Sequence, residues 1–231
     1  MADRYVLRVT AFWILVAIAA VAAVVDWIAV GTSNHRLQYP AKPAVLVALV
    51  AAAASIPASH TDLVDRRWWF VAALLCCLVG DVALMLPREL FIPGLAAFLA
   101  GHVLFVVGLL QPPAPPGVPP FAFSPVGLAV AAGVVAAVEA YPGRALLTAL
   151  AGGGHRPLIA PVCVYMMAIA TVVVLATNVA SRPAAIGASL FLVSDTVLAL
   201  DRFVWPRRWG TLVVHVTYHL AQVLLVLSLV R

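Results

Sequence analysis

LVGDVALML at 78–86 and LVSDTVLAL at 192–200 are two near-copies of one run, and each sets a single aspartate, Asp81 or Asp195, among apolar neighbours. A carboxylate in hydrocarbon costs several kcal/mol unless it faces a polar cavity or a partner, so two acids in matching contexts mark a site. The runs lie within longer apolar stretches. A transmembrane helix needs roughly 17–25 such residues, and charges, prolines and glycines divide the chain into about eight stretches, at 9–31, 41–57, 68–86, 91–110, 123–141, 157–177, 184–200 and 209–230.

Composition agrees with this division. A chain of 231 residues that is 65% hydrophobic and 10% charged has more apolar surface than a soluble core of that size can hide. The expected fold is all-α: a polytopic membrane protein of about eight helices, forming a single integral membrane domain over 1–231. Arg4 and Arg8 ahead of an apolar run resemble a secretory signal. Asp26 and Trp27 follow where a mature soluble domain would begin, so the first stretch is read as a retained span. The proline-rich QPPAPPGVPPFAFSP at 111–125 reads as a stiff strap dividing the chain. Cys76, Cys77 and Cys163 fall inside spans and have neither metal-site spacing nor a disulfide pattern. The net charge of +5 is scattered among connections, which argues against nucleic-acid binding.

The two aspartates are 114 residues apart, and the same offset carries Lys42-Pro43 onto Arg156-Pro157. His102 maps one residue from His215, and Asp26 one residue from Glu139. Scarce charged residues in register indicate a repeat with halves of about 1–115 and 120–231. Four helices separate the copies, so the repeat is parallel, as in some transporters. Helix parity puts Asp26, Lys42, Asp81, Glu139, Arg156, Asp195 and His215 toward one membrane face, with His102 near mid-depth. That is the pattern of a polar cavity open to one side. Eight basic residues on that side against six on the other leave its orientation open.

Asp81 and Asp195 are the leading catalytic candidates, because buried carboxyl groups can donate and accept protons. The competing reading is a structural ion pair with Lys42 or Arg156. His102 is a third catalytic candidate, or a satisfied contact between helices. Lys42 and Arg156 either snorkel to headgroups or hold a lipid phosphate. Tyr165, Tyr218 and Gln222 are substrate-binding candidates that could equally tie helices together. Asp26 and Glu139, near the ends of their expected helices, read as solvated. His215 and His219 have i, i+4 spacing that can chelate a metal, but the expectation is a site without metal or cofactor.

Lys42-Pro43, Gly80-Asp81 with Leu84 and Met85, FIPGLAAFLAGHVLF at 91–105, GASLFLVSDTVLAL at 187–200 and TYHLAQ at 217–222 together resemble the YhhN-type lysoplasmalogenase family. The departures are His219, where an aromatic is expected, and the long strap. The resemblance implies an eight-helix enzyme of the bacterial cell (inner) membrane. It would hydrolyse the vinyl ether of a lysophospholipid, a lysoplasmalogen, to a fatty aldehyde and glycerophosphoethanolamine or glycerophosphocholine, with Asp81 and Asp195 at the family's acidic positions. The chemistry suits the residues. A vinyl ether resists bases, but protonation of its β-carbon gives an oxocarbenium ion that water attacks. Two carboxyl groups with different protonation states can serve both steps, as in a glycosidase. The alternatives are a proton-coupled transporter and a metal-dependent lipid hydrolase using His102, His215, His219 and an aspartate.

Overall fold

The computed structural model describes residues 2–56, 64–86, 90–111, 123–179 and 181–230. Residues 112–122 of the expected strap lie outside them. Among the described residues there are eight α-helices and no strand: α1 (Ala2–Gly31), α2 (His35–Ser55), α3 (Val64–Met85), α4 (Phe91–Leu110), α5 (Pro125–Gly152), α6 (Ile159–Asn178), α7 (Arg182–Phe203) and α8 (Gly210–Leu227). All eight are long and apolar enough to cross a membrane. Helices satisfy their backbone groups internally, the requirement hydrocarbon imposes on a spanning segment. Several of their ends are closed by side chains. Asn34, Ser124 and Ser181 accept from the backbone N–H three residues on. The buried Arg66 donates to the last carbonyls of α4, those of Gly108 and Leu109, and to that of Gln111.

Two helix boundaries differ from the sequence expectation because proline does not stop these helices. α2 begins at His35, before Pro40 and Pro43. Each proline only withholds one N–H, from the carbonyls of Arg36 and Tyr39, at the polar end of the bundle where that loss is tolerated. Lys42 is therefore two turns inside the helix, about 10 Å from its start at 1.5 Å per residue. α5 likewise continues through Pro142 and ends at Gly152. Gly154 then adopts φ +78°, a conformation that suits glycine, and a short 3₁₀ turn, Arg156–Leu158, leads into α6.

Within the bundle α3 packs on α4, α7 on α8 and α1 on α2, with α2 against α8 and α6 against α4. The α3–α4 seam is very close. Gly94, Gly101 and Gly108 recur every seven residues along one face of α4, and a Cβ placed on them would fall within 3 Å of Leu84, Cys77 and Phe70. From the other side, a Cβ on Gly80 would stand 2.6 Å from the Phe98 ring. Small residues that let backbones approach are how membrane helices gain contact without a hydrophobic driving force. The seam fixes α3, and with it Asp81, against α4.

Candidate functional site

His35, Gln38, Tyr39 and Lys42 occupy i, i+3, i+4 and i+7 of α2, so they share one face. That face lines a cavity of about 280 Å³ whose other walls include Asp81, Ser194, Asp195, Asp201, His215 and Tyr218. Both aspartates border this one cavity, at the end of the bundle where α1, α3, α5 and α7 finish and α2, α4, α6 and α8 begin.

Asp81 is buried to 1% side-chain exposure, and its Oδ1 lies 3.0 Å from Lys42 Nζ. Its Oδ2 accepts from the Tyr218 hydroxyl at 2.8 Å. Asp195 has different company. Its Oδ2 accepts from the Tyr165 hydroxyl at 2.9 Å and lies 3.4 Å from His102 Nε2. His102 is completely buried, between the rings of Tyr165 and Phe191. Its ring nitrogens make no hydrogen bond of good geometry, so the approach to Asp195 is a contact of charge and dipole. No Lys or Arg among the described residues is ion-paired with Asp195.

The pairings cross between the halves of the chain. Asp81 on α3 meets Lys42 from α2 and Tyr218 from α8, while Asp195 on α7 meets Tyr165 from α6 and His102 from α4. Each acid is thus held by the preceding helix and by the last helix of the opposite half.

Asp195 also borders a second space. A narrow apolar groove of about 50 Å³ between α4, α5, α6 and α7 is walled by Leu95, Leu146, Val162, Ile169, Phe203 and their neighbours. Leu84, Phe98, Asp195 and Leu198 line both the groove and the polar cavity. Of the two acids, Asp195 is the one at this junction.

The structure brings together Lys42, Asp81, His102, Tyr165, Asp195 and Tyr218. It does not bring Arg156, which is exposed in the 3₁₀ turn and donates to the Ala151 carbonyl at 3.1 Å. Arg156 was expected to open the sixth helix, but a 3₁₀ turn occupies 156–158 and α6 begins at Ile159. Gln222 is fully buried on α8 but lines neither space, and its carboxamide makes no hydrogen bond of good geometry among the described residues.

Two residues read as solvated are not. Glu139 lies mid-helix because α5 runs on to Gly152; it is half-buried in the groove wall and accepts from Thr196 at 3.4 Å. Asp26 is completely buried, with Oδ2 2.6 Å from His215 Nδ1. Proximity to a helix end misled both readings; an ionisable group inside a span was the better signal. The α2 face was also missed, although its 35, 38, 39, 42 spacing was there to find. Among the described residues no three His, Cys, Asp or Glu side chains are grouped so as to hold a metal ion.

These features define an integral membrane protein with a one-sided polar site set against an apolar groove. The YhhN family profile matches residues 37–229, and the chain belongs to that family. It is similar to lysoplasmalogenase TMEM86B of Homo sapiens, 34% identical over 69% of this chain and 62% of that protein. The corresponding protein of Sus scrofa is 36% identical, over 68% and 61%. Similarity to the lysoplasmalogenase of Mycobacterium bovis is 32%, over 84% of this chain and 70% of that protein. The chain thus spans about 62% of the length of the human relative it matches. No solved structure matches.

Proposed function

We propose that the chain is a lysoplasmalogenase, a membrane hydrolase that cleaves the vinyl ether of a lysophospholipid to a fatty aldehyde and a glycerophospho-alcohol. The relatives' names support the substrate class, and one observation carries the mechanism: Asp195 stands where the polar cavity and the apolar groove meet. An alkenyl chain in the groove and a headgroup in the cavity bring the vinyl ether to that carboxyl group.

In this reading the two acids divide the work. Asp195, bordered by a hydroxyl and an imidazole and by no lysine or arginine, holds the proton and delivers it to the β-carbon. Asp81, ion-paired with Lys42, stays ionised and stabilises the oxocarbenium ion that forms, as the charged carboxylate of a glycosidase pair does. Lys42, 8% exposed at the cavity wall, has ammonium donors left for the substrate phosphate. The Tyr165 and Tyr218 hydroxyls orient the carboxyl groups, and His102 packs behind Asp195. We read the crossed pairing as the product of a parallel repeat; the matched α2–α8 and α6–α4 contacts support that reading. The bacterial cell membrane is the location this reading assigns.

The test is to incubate purified protein with a lysoplasmalogen, a lysophosphatidylethanolamine and a ceramide in parallel, following aldehyde, fatty acid and sphingosine. Aldehyde alone supports the proposal. Fatty acid or sphingosine release points to another lipid hydrolase, and no release from any of the three shifts weight to proton-coupled transport.

A further inference from the structure

We infer that His215, held by Asp26, is the base that takes a proton from the attacking water; the inference rests on the vinyl-ether reading above. The buried pair has no part in the division of labour between Asp81 and Asp195. Asp26 is 0% exposed inside α1, and its ion-pair partners among the described residues are histidines alone. His215 on α8 lines the polar cavity and turns Nδ1 to Asp26 Oδ2 at 2.6 Å.

The neighbouring His219 settles which imidazole Asp26 serves. Its Nδ1 is 3.9 Å from Asp26 Oδ2, beyond hydrogen-bond distance. That nitrogen accepts the Trp27 indole N–H at 3.1 Å. An indole N–H only donates, so His219 Nδ1 carries no proton to offer. Among the described residues Asp26 therefore has one hydrogen-bonded side-chain partner, His215 Nδ1–H. This fixes the His215 tautomer, leaves Nε2 as the acceptor, and gives the imidazolium an adjacent carboxylate when Nε2 takes a proton. It is the orienting role an aspartate plays toward histidine in hydrolase triads.

The two spaces place the pair at the right bond. Asp195 lines both the apolar groove and the polar cavity, whereas His215 lines the polar cavity alone. The β-carbon lies on the alkenyl side of the ether and the glycerol oxygen on the headgroup side. The acid at the junction thus faces the carbon to be protonated, and the imidazole on the cavity side faces the ether carbon and its leaving oxygen.

The steps balance. Asp195 gives its proton to the β-carbon, and the C=C π pair forms the new C–H bond. Water adds to the oxocarbenium carbon while His215 Nε2 removes one of its protons, giving a hemiacetal. The hemiacetal C–O bond to glycerol then breaks, its oxygen takes the proton back from His215, and the hemiacetal hydroxyl returns its proton to Asp195. One vinyl ether and one water become one aldehyde and one alcohol.

The experiment uses the full chain in detergent with a lysoplasmalogen in D₂O, measuring turnover and the deuterium content of unreacted substrate at partial conversion. Wild type is expected to release aldehyde and leave unreacted substrate unlabelled. In His215→Gln turnover is expected to fall about 10²–10³-fold, and the cation, denied an activated water, reverts and leaves deuterium on the β-carbon. Asp26→Asn keeps the imidazole and should give the same label with a smaller loss. It also carries the test if the glutamine variant is not monodisperse. The double variant should be no slower than His215→Gln. Either variant within two-fold of wild type, or slow turnover without label in folded protein, overturns the assignment. A wild type that releases no aldehyde overturns the functional reading itself.

Discussion

Asp81 and Asp195 occupy near-identical sequence and matching places in the bundle, yet they differ in what touches them. Each takes one partner from the preceding helix and one from the last helix of the other half. Around Asp81 those partners are an ammonium and a hydroxyl; around Asp195 they are a hydroxyl and an imidazole. The lesson is that similar local sequence fixes where a carboxyl group goes, and its neighbours decide what it can do. A carboxylate beside Lys42 suits charge stabilisation, and one at the edge of an apolar groove suits proton delivery.

The comparison can be broken most directly at Asp195, the proposed proton donor. Asp195→Asn is expected to lower aldehyde release about 10³-fold or more, with little change in thermal stability, since the amide still accepts from Tyr165. Asp81→Asn should lower turnover by less, about 10²-fold, but cost more stability. It strands a buried ammonium, and breaking such a pair costs about 3–5 kcal/mol. If the melting temperatures of the two variants rank the other way, the assigned difference between the acids is wrong. Replacing Lys42 with Met in the Asp81→Asn background should restore part of the lost stability, because no unpaired charge remains.

Smaller effects sharpen the same contrast. Lys42→Met alone is expected to raise KM about 10-fold for a phosphate-bearing substrate, a loss of about 1.4 kcal/mol, and to leave KM for an uncharged alkenyl glycerol unchanged. Tyr165→Phe and Tyr218→Phe each remove one hydrogen bond, worth about 0.5–1.5 kcal/mol. Turnover should respond more to Tyr165→Phe, whose hydroxyl contacts the proposed proton donor. Arg156→Ala should leave both constants within two-fold of wild type; a larger change would return that cation to the site.

Much of this could be read from residues alone. Span number follows from apolar length, and the convergence of Asp81 and Asp195 at one end of the bundle follows from helix parity. Lys42, Tyr165 and Tyr218 were accessible because polar groups inside spans face one another. What escaped depended on where helices stop. Treating Pro142 as a terminator put Glu139 near a helix end that lies thirteen residues further on, and the 114-residue offset put Arg156 at a cavity mouth it does not reach. Asp26 escaped for a related reason: no local pattern announces that a residue near the end of α1 lies against α8, 189 positions away.

The glycine seam between α3 and α4 has a mechanical consequence. Side chains absorb small displacements by changing rotamer, but glycine has none, so a seam closed by Gly80, Gly94, Gly101 and Gly108 has little compliance. The Phe98 ring of α4 closes directly on the α3 backbone beside Asp81. Phe98 is also a wall of both the cavity and the groove. The α3–α4 spacing is thereby tied to the place where the two spaces adjoin, and Gly80, with the smallest clearance, is the tightest point of the seam.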